Sequence, residues 1–98
     1  MRFEDEYEFE LIENEAKKMV IHELEQQLAV EPEDVCRCSD CVLDMAAIAL
    51  NSVKPVYRYS LLGSMYAAQT LHEETYANSV QEAVAQAVKK VKSNPAHD

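Results

Sequence analysis

Apolar residues recur at a spacing of three to four along the first part of the chain. This spacing predicts an amphipathic helix from about Tyr7 to Ala29, with one apolar stripe facing a core. Pro32 should end the helix, because the residue before a proline is pushed out of helical dihedral angles. The stripe consists of Leu11, Ile12, Ala16, Met19, Val20, Leu24 and Leu28.

A second helix is predicted from about Asp40 to Asn51, and it is apolar on nearly every side. Between Val42 and Leu50, the one charged residue is Asp44. A helix of this kind is expected to be buried on most sides, and a small chain can bury it by pairing with a second copy. The pattern therefore predicts a buried central helix and a homodimer.

The rest of the chain is predicted to hold a short extended segment and further helices. Residues 56–60 mix apolar, aromatic and charged side chains and resemble a strand. A third helix is predicted from Leu61 to Gln69, and a last helix, or a kinked pair, from Thr70 to Lys92. Thr70-x-x-Glu73 and Ser79-x-x-Glu82 both match the capping-box pattern, so the last helix could begin at either. Its apolar stripe consists of Val80, Ala83, Val84, Ala87, Val88 and Val91.

The composition supports a single all-α domain that spans residues 1–98. With one glycine and three prolines, the chain lacks the turn residues that an all-β fold needs every ten residues or so. Apolar residues make up 48% of the chain, which suffices for a packed core and argues against disorder. We expect a small domain of four to five helices.

The charge of the chain excludes some classes of partner. The chain has 18 acidic and 9 basic residues, and its formal net charge is −9. A surface that binds long nucleic acid or anionic lipid normally needs a basic face, so we expect no direct DNA or membrane binding. Seven of the acidic residues crowd the first fifteen positions, which is typical of a solvated helix face.

The cysteine content indicates a reducing compartment. The first residues do not combine a basic region with an apolar stretch, and no run approaches the roughly 18 apolar residues of a membrane span. The three cysteines lie within six residues, a spacing that cannot form a long-range disulfide framework. Clustered thiols in a reducing compartment are typical of metal ligands. We therefore expect a cytoplasmic protein.

The cysteines form the pattern Cys36-x-Cys38-x-x-Cys41, in a polar loop that leads into the second helix. Zinc prefers four thiolate or imidazole ligands in a tetrahedron, and the positive end of a helix favours the thiolate form of a nearby cysteine. The cluster therefore predicts a zinc site. Two alternatives stay open, namely ordinary buried thiols and a redox thiol, although thioredoxin-like chemistry needs a βαβ context that this pattern lacks.

Three thiolates leave one position of the tetrahedron for another ligand. His22 or His72 could supply it if the first or the last helix packs beside the loop. Asp44, one turn beyond Cys41, could supply an oxygen, which is a poorer match for a thiolate site. A group from a second subunit or an exogenous ligand could also supply it.

Three groups of residues in the middle of the chain form a recognisable signature. They are Asp34-Val35-Cys36-x-Cys38-x-x-Cys41, then Asp44-x-x-Ala47-x-Ala49-Leu50-Asn51, then Lys54-Pro55-x-Tyr57. This signature resembles the late competence development protein ComFB family, although many members carry two prolines where this chain has Lys54-Pro55. The resemblance implies a small helical homodimer that carries zinc and acts beside the DNA-uptake machinery of competent bacteria. It also implies membership of a group regarded as receptors for cyclic dinucleotides, chiefly cyclic di-GMP.

A basic and aromatic segment is the best candidate for binding such a ligand. Lys54, Tyr57, Arg58 and Tyr59 lie within six residues of an otherwise acidic chain. Lys or Arg side chains bind phosphates, and aromatic or guanidinium planes stack on bases. The alternative interpretation is a surface turn with a tyrosine packed on the core.

These observations predict a zinc-binding regulatory protein that senses a cyclic dinucleotide and signals through a partner in competence or motility machinery. The alternative is a zinc-stapled structural adaptor of the DNA-uptake machinery with no small ligand. The sequence contains no HExxH, P-loop, GxSxG or GxGxxG motif. We therefore do not expect an enzyme.

Overall fold

The structure, a computed structural model, describes residues 2–31 and 34–95 and is mostly helical. Its helices are α1 (Phe3–Glu6), α2 (Glu15–Val30), α3 (Ser39–Ser52), α4 (Leu61–Leu71) and α5 (Glu74–Ser93). A 3-10 turn spans Phe9–Leu11, and two short strands, β1 (Glu13–Asn14) and β2 (Tyr57–Arg58), pair antiparallel. The prediction of a helical fold with four to five helices is confirmed, with this small sheet as an addition.

The core lies between α2, α3 and α5, and α3 packs most extensively against α5. All six residues of the apolar stripe predicted for the last helix are buried, together with Tyr76, so that prediction is confirmed. α2 contributes Ala16, Val20 and Leu24 to the core. Among the described residues, no helix is both long enough and apolar enough to cross a membrane.

The start of α2 differs from the prediction, since the helix begins at Glu15 rather than near Tyr7. Asn14 Oδ1 accepts hydrogen bonds from the N–H groups of Ala16 (3.2 Å) and Val56 (2.8 Å). This N-cap is therefore hydrogen-bonded to the segment before β2, and the two hydrogen bonds fix where the helix starts. Leu11 and Ile12 lie outside α2 and are 48% and 47% exposed, so their predicted place in the core stripe is wrong. α2 ends at Val30, while Pro32 lies outside the described residues.

α3 matches its predicted boundaries, and within the single chain one of its faces is buried. Cys41, Met45 and Ala49 are buried on one face. Leu43 is 65% exposed and Asp44 also faces solvent. Within the single chain, α2 and α5 cover only part of the circumference of α3, so burial on most sides stays a prediction that requires the second copy.

The junction between α4 and α5 forms without either predicted capping box. α4 continues to Leu71, and α5 begins at Glu74 with Glu73 as an N-cap whose side chain makes no capping hydrogen bond. Ser79 lies inside α5, where its hydroxyl donates to the carbonyl of Tyr76 at 2.7 Å. The predicted start at Ser79 is wrong, because the stripe that α5 buries already includes Tyr76.

Candidate functional site

The three cysteines converge where the loop after α2 meets the N-terminus of α3. Cys36 lies in the loop, Cys38 is the N-cap of α3, and Cys41 lies in its first turn. Their sulfur atoms all lie within 4.8 Å of one another. Cys41 is buried, Cys36 is partly buried and Cys38 is the most exposed of the three. The sequence spacing thus predicted the cluster correctly.

Hydrogen bonding inside the cluster favours the thiolate form of Cys36. The backbone N–H of Cys38 lowers the pKa of Cys36, and the side chains of Cys38 and Cys41 lower it further. The Sγ atom of Cys38 accepts a hydrogen bond from the N–H of Cys41 at 3.4 Å. The donors aimed at the sulfur of Cys36 stabilise negative charge there, which is the state that a metal ligand requires.

The sulfur positions fit a tetrahedral metal ion. Bonds of about 2.3 Å from zinc to sulfur place the sulfur atoms of a regular tetrahedron about 3.8 Å apart. Separations of up to 4.8 Å reach that value with small changes in side-chain torsion. The cluster could therefore hold a metal ion through three thiolates.

Arg37, which the sequence analysis did not single out, shapes the loop that carries Cys36. Its guanidinium donates to the carbonyl of Val35 at 3.1 Å and to those of Leu28 and Glu31 at the end of α2. The last carbonyls of a helix lack partners within it, so Arg37 both satisfies these acceptors and fastens the loop. A cation just after a helix C-terminus was the signal that could have indicated this role.

The intramolecular candidates for a fourth ligand lie away from the cluster. Among the described residues, no histidine, aspartate or glutamate offers an atom to the same group. His22 lies 3.5 Å from Gln26 on α2, His72 is the C-cap of α4, and Asp44 is exposed on α3. Of the sources of a fourth ligand that the sequence offered, a second subunit and an exogenous ligand remain.

The predicted basic and aromatic segment is divided between different surroundings. Lys54 and Tyr57 line a shallow hollow of about 220 Å³ together with Tyr66 and Thr70 of α4. Tyr59 lines a separate hollow beside the N-terminal residues. The hydroxyl of Tyr76 on α5 donates to the carbonyl of Lys54 at 2.6 Å. This hydrogen bond holds the segment around Lys54 against α5.

Arg58 is directed toward carboxylates of the first strand and of α2. It forms ion pairs with Glu13 at 2.9 Å and with Glu15. The hydrogen bond from Arg58 lowers the pKa of Glu15, and the same bond raises the pKa of Arg58. The antiparallel pairing of Glu13 with Arg58 brings these residues together. Arg58 is 43 residues from Glu15 and 45 residues from Glu13 along the chain. Contacts between such distant residues leave no local signal in the sequence.

Comparisons with known proteins agree with the signature in the sequence. The family model for late competence development protein ComFB matches residues 13–95. A solved structure of the late competence protein ComFB from Bacillus subtilis is similar, with a TM-score of 0.66. It is 19% identical, and the alignment covers 86% of this chain and 91% of that one. The likeness therefore concerns the fold, and the two are different proteins. No curated protein matches the chain.

Proposed function

Because the chain belongs to the ComFB family of late competence development proteins, we propose that it is a zinc-binding regulatory protein of the competence or motility machinery. The observation that carries this proposal is the convergence of three thiol sulfurs within 4.8 Å at the start of α3. Such thiols need a reducing compartment, so we expect the protein in the cytoplasm.

Zinc is the metal that suits this set of donors best. Soft thiolate ligands select zinc, copper(I) or iron–sulfur clusters over the harder cations. Cys36, Cys38 and Cys41 would hold the ion, and bound zinc would cross-link the loop after α2 to the N-terminus of α3. A structural site of this kind contributes directly to folding free energy.

Metal content and stability test the zinc proposal. Native mass spectrometry should find about one zinc ion per chain. Cys38→Ser should lose the metal and lower the Tm by about 10 °C, since each kcal/mol corresponds to about 4–8 °C for a small domain. Ser39→Ala, a neighbouring change without a thiol, should keep both. A fully folded chain without metal would contradict the proposal and favour ordinary thiols.

The finer proposal is that the protein senses a cyclic dinucleotide such as cyclic di-GMP. Its support is the family membership, together with a cation and two tyrosine rings at one hollow, Lys54, Tyr57 and Tyr66. Tyr57 and Tyr66 are 64% and 67% exposed, which leaves their faces open for stacking on a base. A two-fold dimer could present two such hollows to a symmetric ring.

A specific observation favours the rival function, a zinc-stapled adaptor without a small ligand. The hollow of about 220 Å³ is smaller than the roughly 300–1,000 Å³ of ordinary ligand sites. Arg58, the strongest candidate for phosphate, is already paired with Glu13 and Glu15. A receptor would need either a second subunit to complete the site or the release of Arg58.

Calorimetry with cyclic di-GMP separates the two functions. A receptor should give saturable heat with zinc-loaded protein, and Lys54→Ala should weaken binding roughly tenfold or more, because it removes a charge-assisted contact. Glu13→Gln should strengthen binding if Arg58 takes part, since it removes one of the two carboxylates that pair with the guanidinium. Lys89→Ala, an exposed change on α5, should have no effect. Absence of saturable heat at a hundred micromolar nucleotide would favour the adaptor.

A further inference from the structure

The residues that precede the family-matched region form an exposed aromatic cluster. We call residues 2–12 the N-terminal arm; the family model begins after it, at residue 13. The rings of Phe3, Tyr7 and Phe9 contact one another, with centroid separations of 5.0, 5.8 and 6.1 Å. They are nevertheless 68%, 56% and 46% exposed. The arm therefore gathers its aromatic rings without burying them.

The cluster continues into a hollow that the arm forms together with Tyr59. Tyr7 and Phe9 line this hollow with Leu11, Ile12 and Tyr59, and its volume is about 440 Å³. All of these large side chains are exposed, by 46–67%. A contiguous exposed apolar surface with a polar rim is typical of an interaction site.

The charge around the cluster is predominantly negative. Glu4, Asp5, Glu6, Glu8 and Glu10 are all exposed, and the one cation of the arm, Arg2, is paired with Glu4 and lies 3.9 Å from Asp5. Crowded carboxylates repel one another, and aromatic faces attract cations. Both features favour a positively charged occupant.

We propose that the N-terminal arm is a docking surface for an arginine-bearing, partly apolar segment of a partner protein. Guanidinium groups would lie on the rings of Phe3, Tyr7 and Phe9 while pairing with the surrounding carboxylates, and apolar side chains would fill the hollow. Nucleic acid and anionic lipid are disfavoured as occupants, because they carry the same sign of charge as the arm. A second copy of the chain is disfavoured for the same reason, because its arm would bring a second set of carboxylates. This proposal does not depend on zinc or on a nucleotide.

Two matched peptides test the proposal on the full chain. One is a fluorescein-labelled peptide of alternating arginine and leucine, and the other replaces each arginine by citrulline, which is neutral and nearly isosteric. In fluorescence anisotropy the arginine peptide should bind saturably and at least tenfold more tightly than its twin. Equal binding of the two peptides, or no saturable binding of the first, would overturn the proposal.

Variants of the arm separate the rings from general charge attraction. Phe3→Leu, Tyr7→Leu and Phe9→Leu together should weaken the arginine peptide about tenfold, because each exposed cation–π contact is worth about two- to fivefold. Phe3→Tyr, Tyr7→Phe and Phe9→Tyr together keep the rings and should bind normally. No residue of α1 or of the 3-10 turn is buried, so these variants should fold. Unchanged affinity in the leucine variant would refute the role of the rings.

Carboxylate variants complete the test. Glu4→Gln, Glu6→Gln and Glu8→Gln together should weaken the arginine peptide about tenfold. The control changes the net charge equally through Glu73→Gln, Glu74→Gln and Glu82→Gln on α5 and its cap, and it should bind normally. An equal loss in both variants would show nonspecific attraction and overturn the proposal. Light scattering that shows self-association through the arm, without peptide binding, would identify a second copy as the occupant and also overturn it.

Discussion

At the scale of single residues, Arg58 links the first strand, the second strand and the start of α2. It pairs with Glu13 and Glu15, and the side chain of Glu15 is only 12% exposed. Sequence reasoning grouped Arg58 with Lys54 because the two are close along the chain. The structure separates them, because strand pairing brings in carboxylates from a remote segment.

The Glu15–Arg58 pair should make the fold sensitive to acid. Because the hydrogen bond from Arg58 lowers the pKa of Glu15 in the folded state, the pair stabilises the fold above the ordinary value of 4.5. That contribution is lost as the pH falls through the lowered folded value. Glu15→Gln should therefore have a lower Tm than the wild type at pH 7. The difference should shrink steadily below pH 4.5.

Melting curves recorded as a function of pH check this expectation. Glu82→Gln, which changes an exposed carboxylate of α5, is the control and should follow the wild type at every pH. A gap between Glu15→Gln and the wild type that stays constant from pH 7 to pH 3 would contradict the assigned role of Glu15.

The cysteine cluster was predictable from the sequence, whereas the residues that support it were not. Three thiols within six residues meet with little help from the tertiary fold, especially when a helix begins among them. The contact of Arg37 with the end of α2 depends on how the intervening loop turns back. Composition and spacing carry no information about that turn.

At the scale of elements, helices with one clean stripe were predicted best. The stripe of α5 is apolar at every predicted position, and one side of it is fully covered by α2 and α3. α3 gave less information, because an all-round apolar sequence does not reveal which face is buried. α2 was placed too early, because its N-cap depends on Val56, which sequence periodicity cannot detect.

The orientation of α3 can be tested with two substitutions on the same helix. Met45 is fully buried and Leu43 is 65% exposed. Met45→Ala should lower the free energy of unfolding by about 2–5 kcal/mol, through lost burial and a residual cavity. Leu43→Ala should change it by about 0.5 kcal/mol or less. Chemical denaturation measures both, and similar losses for the two variants would contradict this orientation.

At the scale of the whole molecule, the single chain is flat and exposes much surface. Its extents are 45 × 39 × 18 Å and its radius of gyration is 15.6 Å, against about 13 Å for a compact domain of this length. Its accessible surface of 7144 Å² exceeds the roughly 5,700 Å² expected for its mass. The excess is larger than the roughly 800 Å² that one partner contributes to a standard protein interface.

Apart from the N-terminal arm, the exposed apolar surface is concentrated on α4 rather than on α3, where the sequence led us to expect the homodimer interface. α4 contains no charged residue, and Ala67 is its one buried residue. Leu61, Leu62 and Met65 are 81%, 61% and 65% exposed. Because the chain carries a net charge of −9, an uncharged helix is where two copies can approach with least repulsion.

We therefore predict a homodimer that pairs through α4. Light scattering at micromolar concentration should give twice the monomer mass of 11.1 kDa. Leu61→Glu combined with Met65→Glu should give the monomer, because it places carboxylates in an apolar interface. These side chains are exposed in the single chain, so the variant should keep its helical circular dichroism.

Ala85→Glu, on the exposed side of α5, is the control and should remain dimeric. If Leu43→Glu abolishes the dimer while the α4 variant does not, the interface lies on α3, as the sequence pattern first suggested. A monomeric wild type would refute the homodimer on either surface.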